Sequence, residues 1–126
     1  MNRIKTAIVI LFLVTAFCVC EFVYVGNTVK EFIGRLDEIE KTYANEDYEE
    51  AHRLAKEADK GWNQRLEYVD MLLYHDYVSE IGVNIAGIAD YIEYREDAEV
   101  FTNCKKTKRE LESLFDNEKP SLANIF

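Results

Sequence analysis

The chain opens with one long apolar run and then changes to a mixed pattern of helical period. Residues 4 to 25 are almost entirely apolar, and Glu21 is the one charged residue inside the run after Lys5. About 20 such residues match the hydrocarbon thickness of a bilayer when they are helical. A helix also satisfies its own backbone groups there. The pattern predicts an N-terminal transmembrane anchor over residues 1–25.

After the anchor, apolar residues recur every three or four positions in four successive stretches, the spacing of one face of a helix. We predict an all-α protein: a transmembrane helix followed by an antiparallel four-helix bundle of two hairpins over residues 26–119. The predicted core positions are Val25, Val29, Phe32, Leu36, Ile39 and Tyr43; Tyr48, Ala51, Ala55, Ala58, Trp62, Leu66, Val69 and Leu73; Tyr74, Val78, Ile81, Ile85, Ile88 and Ile92; and Val100, Cys104, Thr107, Leu111 and Leu114.

Helix ends follow from local signals. Thr28 to Glu31 matches a capping box, so Gly26-Asn27 is either a hinge or part of a helix that runs straight through. We expect a turn at His75-Asp76. The last helix should end at residues 117–120, because proline disfavours a helix at and before its own position. Residues 120–126 would then be a tail packed on the bundle.

Two glycines lie inside the third stretch. Gly82 and Gly87 each weaken a helix by up to about 1 kcal/mol relative to alanine. Their presence predicts close packing against a neighbouring helix at both points.

An internal repeat appears at an offset of 49 residues. Each half reads as a helix, a tight acidic turn and a second helix. The first turn, residues 45–51, resembles the inter-helix turn of a tetratricopeptide repeat. That family has a period of 34 residues, however, and the rest of its pattern is missing here. The matching positions are Ile39, Tyr43, Asp47, Glu50 and Ala51 with Ile88, Ile92, Glu96, Glu99 and Val100.

The charge is strongly acidic outside the anchor. Arg3, Lys5 and Glu21 precede residue 26, which leaves 13 basic against 23 acidic residues in the rest of the chain. A net charge of −10 on such a small domain disfavours nucleic acid and anionic headgroups as partners. Arg3 and Lys5 lie just before the span, and the residues just after it are acidic or neutral, so the positive-inside rule predicts a cytoplasmic N-terminus and an extracytoplasmic domain in a bacterial cell membrane.

A cleaved signal peptide is the competing interpretation of the apolar run. Val14-Thr15-Ala16 offers a small-residue cleavage site, but cleavage there would leave residues 17–25 as an exposed apolar N-terminus. We therefore favour the uncleaved anchor. Cys18 and Cys20 lie within it, and Cys104 alone cannot form an intramolecular disulfide.

The search for chemistry yields weak candidates. His75, Asp76 and Glu80 could form a divalent-metal site, but zinc needs three or four ligands at suitable spacing. The acidic turns could bind calcium, yet acidic residues at helix starts are expected from capping and the helix dipole alone. We find no nucleophile motif and predict no enzyme, cofactor or metal. The basic group at residues 105–109 could bind an acidic partner or another copy of this chain, but we favour a solvated face that pairs with nearby glutamates.

Tyrosines flank both acidic turns. Tyrosine is common in protein interfaces, so the two turns form a possible interaction surface. The alternative is ordinary packing of helix ends. The residues of this surface are Tyr43, Tyr48, Tyr91, Tyr94, Glu46, Asp47, Glu96 and Glu99.

The whole chain resembles a family of small bacterial membrane proteins of unknown function, from clostridia and related spore-forming Firmicutes. The resemblance rests on the short basic start, the single span, residues 45–51 leading to Trp62, His75-Asp76 and the terminal 122–126. It implies an all-helical exported domain and assigns no catalytic residue.

Anchor, charge and turns together predict a non-enzymatic membrane accessory protein that binds a protein partner, either another membrane protein or a second copy. The alternative is an extracytoplasmic sensor that binds a cation or small ligand at the acidic turns.

Overall fold

The structure is a computed structural model that describes the backbone of residues 2–72 and 75–125, and the side chains of residues 2–65 and 78–116. Four helices follow one another: α1 (Asn2–Ala44), α2 (Tyr48–Leu72), α3 (His75–Glu93) and α4 (Asp97–Ile125). Successive helices pack together, and α4 also packs on α1. The predicted all-α fold of two helical hairpins is confirmed.

The first helix is continuous through Gly26-Asn27, so the helix runs straight through and there is no hinge in it. Its 43 residues span about 65 Å at 1.5 Å per residue. The Thr28 to Glu31 capping box is not formed, because inside a helix the backbone N–H groups already have partners. Thr28 is instead buried, and its Oγ1 accepts a hydrogen bond from Arg65 Nη1 at 3.1 Å.

The N-terminal half of α1 lies outside the bundle. Large apolar side chains between Ile4 and Val23 are 51–72% exposed, apart from Phe22, which is half-buried against Phe115. In the part of the chain that the structure describes, α1 is the one helix long and apolar enough to cross a membrane. The predicted apolar helix is therefore present, and it continues directly into the bundle.

The core contains the positions that the helical spacing predicts. Each predicted position with a described side chain is buried, apart from Tyr48, which is half-buried. Trp62 lies at the centre: its Nε1 donates to the Val78 carbonyl at 3.3 Å, and its ring meets Phe32 edge-on at 5.1 Å. The predictions for Leu66, Val69, Leu73 and Tyr74 lie outside the described side chains.

Two predicted helix ends are wrong. His75 and Asp76 form the first turn of α3 and do not precede it. The last helix runs through Pro120 to Ile125, past its predicted end at 117–120. Proline removes one hydrogen bond from a helix, and good helix formers flank it on both sides here. The predicted packing of the side chains of residues 120–126 lies outside the described residues.

The two glycines of α3 differ. A Cβ added at Gly82 would lie 3.2 Å from the Trp62 ring, so the predicted close packing is confirmed there. At Gly87 the nearest atoms would be 3.7 Å away, an ordinary contact, and the prediction is wrong.

Candidate interaction surface at the turn end of the bundle

The α1–α2 and α3–α4 turns have the same backbone geometry. Glu46 and Arg95, 49 residues apart, both adopt left-handed φ angles, of 62° and 55°. In each turn the left-handed residue donates to the carbonyl three residues back, and the next residue donates to the carbonyl five back, at 3.0–3.2 Å. This is the Schellman arrangement that ends many helices. The sequence repeat is thus a repeat of structure.

Both turns lie at one end of the bundle, here called the turn end, because successive helices run in opposite directions. Tyr43 joins them. Its hydroxyl donates to Asp97 Oδ1, and its ring meets Tyr48 at 5.1 Å and Phe101 at 5.6 Å, edge-on in both cases. Tyr43 is 3% exposed. It therefore fixes the ends of three helices and offers little surface to a partner.

Burial and the neighbouring Asp97 carboxylate together raise the pKa of Tyr43 to about 12. Burial is the larger cause, since it disfavours the phenolate, and the hydrogen bond to Asp97 holds the proton on the hydroxyl. Tyr43 is thus a neutral hydrogen-bond donor at ordinary pH.

An arginine completes the link between the two turns. The Arg95 guanidinium carbon lies 3.7 Å from the centroid of the half-buried Tyr48 ring, a close cation–π contact. Sequence analysis missed Arg95, although it occupies the position equivalent to Glu46. A cleft of about 280 Å³ opens beside this pair. It is lined by Tyr48, Glu49, His52, Ile92, Glu93 and Arg95.

The remaining residues of the predicted surface are mostly exposed. Tyr94 is 75% exposed, and Tyr91 is half-buried against the core. Glu46, Asp47, Glu96 and Glu99 all face solvent. The turn end therefore presents one large aromatic ring among carboxylates, with the Arg95 and Tyr48 pair beside them.

Capping explains part of the acidic pattern. Asp47 Oδ1 accepts a long hydrogen bond of 3.4 Å from the Glu50 N–H at the start of α2. Glu50 does not return the bond as a full capping box would, because Arg53 Nε donates to its carboxylate at 2.9 Å. Acidic residues in the first turn of α2 and α4 also suit the positive end of the helix dipole.

Metal chemistry finds little support in the described residues. Among them, no group of three or more histidine, cysteine, aspartate or glutamate side chains is placed to hold a metal ion. The candidate site at His75 and Asp76 lies outside the described side chains. Cys104 is buried and free, and burial raises the pKa of its thiol to about 12.

The predicted basic face of α4 divides in two. Lys108 Nζ lies 2.8 Å from Asp37 and 3.1 Å from Glu40, both on α1. Burial opposes its charge, but these two hydrogen bonds more than compensate and raise the pKa of Lys108. Lys105, Lys106 and Arg109 are exposed and form no ion pair within the described part of the chain. Pairing with acidic residues is thus confirmed for Lys108.

Fold and surface together define a small four-helix protein that carries a long apolar extension of its first helix. The chain belongs to the family DUF4363, described as a domain of unknown function, whose model matches residues 19–125. The resemblance to an uncharacterised family is thereby confirmed. No curated protein and no solved structure matches the chain.

Proposed function

We propose that this protein is a non-enzymatic, single-pass accessory protein of the bacterial cell membrane. Its extracytoplasmic bundle docks on a partner protein through the turn end. The observation that carries the proposal is the unbroken α1 helix, which joins an exposed apolar segment to the buried face of the bundle. Residues 25–44 add about 30 Å of helix beyond the apolar run. The turn end is therefore held at a set distance from the membrane.

The proposed orientation rests on the flanking charges. Arg3 and Lys5 precede the apolar run, and no basic residue follows it before Lys30. Loops rich in lysine and arginine remain cytoplasmic. This rule favours an N-terminus inside the cell and a bundle outside it.

The chemistry of the turn end favours a basic partner surface with an apolar pocket. Tyr94 supplies a large amphipathic ring that can bury its face and keep a polar tip. The exposed carboxylates of Glu46, Glu96 and Glu99 lie in or beside the same two turns. Complementary charge speeds the encounter and selects the partner, while the aromatic ring supplies contact area.

Site-directed photocrosslinking in intact cells tests this proposal. A photoreactive phenylalanine analogue at Tyr94 should give a discrete protein adduct. The same analogue at Val83, which is 69% exposed on α3, should not. Reversing Glu46, Glu96 and Glu99 to lysine should abolish the Tyr94 adduct. An adduct that persists after the reversal, or that is equally strong at Val83, would contradict docking through the turn end.

The second candidate is an extracytoplasmic sensor of a cation or small ligand. The cleft beside Tyr48 and Arg95 favours it, because its rim carries the carboxylates of Glu49 and Glu93. Glu49 and Glu93 are two carboxylates at helix ends, whereas calcium prefers six to eight oxygen ligands. The accessory role therefore ranks first.

A further inference from the structure

The end of the bundle opposite the turn end overlaps the apolar run of α1. The Phe115 ring on α4 lies 5.2 Å from the Phe22 ring, centroid to centroid, and a Cβ added at Gly26 would lie 2.9 Å from Phe115. Phe22 belongs to the apolar run, so α4 lies beside the run at this point. Cys18, about one turn further into the run, is also half-buried. The bundle and the apolar run therefore share a stretch of α1 and are not separated by a spacer.

The α2–α3 turn lies at the same level. Arg65 on α2 contacts α1 through two atoms: its Nη2 lies 2.6 Å from Glu31 Oε2, and its Nη1 lies 3.1 Å from Thr28 Oγ1. In an antiparallel pair, each residue further along one helix lies beside one residue further back along the other. Leu72, the last residue of α2, therefore lies about level with residues 21–24 of α1. Since α3 begins three residues later, the turn between α2 and α3 is at this level too.

This turn differs in sequence from the two turns of the turn end. Residues 71–74 read Met-Leu-Leu-Tyr, whereas residues 45–47 read Asn-Glu-Asp and residues 95–97 read Arg-Glu-Asp. Turns in water are usually rich in glycine, proline, asparagine, aspartate and serine. Met71 and Leu72 also fall outside the core positions that the helical spacing predicts. The bundle therefore has a charged turn end and, opposite it, an apolar turn beside the apolar run.

The end of α4 extends further in the same direction. From Phe115, which lies beside Phe22, the helix continues for ten residues to Ile125. These residues add about 15 Å at 1.5 Å per residue, so the helix passes the level of Glu21. Residues 120–126 read Pro-Ser-Leu-Ala-Asn-Ile-Phe and include no charged side chain. The part of α4 that lies level with the apolar run is thus itself free of charged side chains.

We propose that this end of the bundle is a lipid-binding surface. The α2–α3 turn and the last two turns of α4 enter the leaflet from which the bundle emerges. The inference rests on the proposed anchoring, because a membrane-spanning α1 surrounds this end of the bundle with lipid. Apolar groups at the boundary between headgroups and acyl chains are buried about 5–10 Å deep, and tyrosine favours that boundary.

Acidic residues set the depth of the contact and the kind of lipid. Asp70 and Asp76 flank the apolar turn, Glu118 precedes the end of α4, and Glu21 lies at the same level on α1. Charged groups are costly among acyl chains, so these carboxylates belong at the headgroups and only the apolar segments go deeper. They also repel anionic headgroups. The contact is therefore apolar, and a lipid without net charge, such as phosphatidylcholine, suits it.

Fluorescence quenching of the full chain in phosphatidylcholine vesicles tests the proposal. Cys18 and Cys20 are replaced by alanine, and Cys104 is kept because it is fully buried. A single added cysteine carries a nitrobenzoxadiazole probe, and the lipid carries a spin label near the headgroup end of its acyl chain. Probes at Met71→Cys and at Ile125→Cys should each lose at least half of their fluorescence to this lipid.

Two matched controls lie further from the membrane on the same helices. Val83 is an apolar position on α3, 69% exposed and about 12 Å beyond the start of the helix. Thr102 is an exposed position on α4, about 20 Å before Phe115. Probes at Val83→Cys and Thr102→Cys should keep their fluorescence. Quenching at either control as strong as at Met71→Cys would show that the probe itself seeks the lipid, and would overturn the proposal.

A probe at Leu13→Cys separates this inference from the anchor on which it rests. Leu13 lies in the middle of the apolar run, and a spin label deep in the acyl chains should quench a probe there. Quenching at Leu13→Cys without quenching at Met71→Cys or at Ile125→Cys would overturn the lipid-binding surface and leave the anchor standing. No quenching at Leu13→Cys would refute the anchor itself.

Lipid charge provides the last test. Adding phosphatidylglycerol should not increase the quenching at Met71→Cys or Ile125→Cys, because the contact is apolar and the nearby carboxylates repel an anionic headgroup. Quenching that appears only with phosphatidylglycerol would indicate electrostatic attraction through a cation such as Lys119, and would overturn the proposed apolar contact.

Discussion

At the scale of single residues, two positions of the turn end adopt a conformation that suits glycine but carry other side chains. Glu46 and Arg95 both have left-handed φ angles. This conformation costs an L-residue roughly 1 kcal/mol, and glycine usually occupies the position. Arg95 recovers part of that cost through its contact with Tyr48. Glu46 forms no ion pair or side-chain hydrogen bond with the described residues, so it recovers none.

We expect Glu46→Gly to raise the free energy of unfolding by about 0.5–1 kcal/mol, because it relieves the left-handed backbone. Arg95→Gly gains the same relief but loses a cation–π contact of about 0.5–1 kcal/mol, so its net effect should be near zero. Chemical denaturation of the full chain in detergent, followed by circular dichroism, compares the two. A Glu46→Gly chain less stable than the natural one would contradict the turn geometry.

The raised pKa of Tyr43 predicts a loss of stability in alkali. Its folded pKa is about 12, above the ordinary value of 10.0, so the neutral hydroxyl is favoured by folding. The contribution is complete below pH 10 and is lost as the pH rises through 12. Tyr43→Phe should be less stable by about 1 kcal/mol near neutral pH, because the bond to Asp97 is lost.

The measurement is the free energy of unfolding of both chains at several pH values. The difference in the free energy of unfolding between the natural chain and Tyr43→Phe should narrow between pH 10 and 12, where the unfolded natural chain loses the hydroxyl proton that the folded chain still holds. A difference that stays constant across this range would show that Tyr43 titrates normally. Tyr94→Phe is the matched control, since Tyr94 is exposed, and should track the natural chain throughout.

At the scale of elements, the spacing of apolar residues accounts for which face each helix buries. It does so well because a helix places positions three and four apart on one side whatever its partner. The spacing does not say which helix lies opposite, so contacts between hairpins were not predictable. Tyr43 with Asp97 and Arg95 with Tyr48 are such contacts. Pro120 also shows that a local helix-ending signal can be overridden.

Two glycine substitutions should have opposite effects. Gly34→Ala adds a methyl group in open space on α1 and gains helix propensity, so stability should rise by up to about 1 kcal/mol. Gly82→Ala would place its Cβ 3.2 Å from the Trp62 ring, so any propensity gain is offset by a shift of a packed indole. We expect Gly82→Ala to be the less stable by at least about 1 kcal/mol. Thermal unfolding ranks the pair, and the reverse order would contradict the α2–α3 packing.

At the scale of the whole molecule, the two proposed functions predict different behaviour for the acidic turns. If they serve docking and capping, Ca²⁺ should change stability no more than Mg²⁺ at equal ionic strength. A ligand that binds only the folded state would instead raise the melting temperature in a concentration-dependent way. The measurement is the melting temperature of the full chain in detergent at increasing concentrations of Ca²⁺ or Mg²⁺.

The matching variant replaces Glu46, Asp47, Glu96 and Glu99 with their amides. It should lower the free energy of unfolding by about 0.5–2 kcal/mol for each capping group lost and respond to both ions as the natural chain does. A Ca²⁺-specific shift at millimolar concentration that disappears in this variant would make the sensor the leading function.

The unbroken course of α1 has a mechanical consequence. A helix of 43 residues without a flexible joint acts as a stiff shaft, so rotation or tilt at one end is transmitted to the other. Each residue advances the helix by about 100° and 1.5 Å. One residue inserted near Asn27 would therefore turn the whole bundle by about 100° relative to the apolar half. The number of residues between the two halves of α1 thus sets the direction, around the helix axis, in which the side chains of the turn end point.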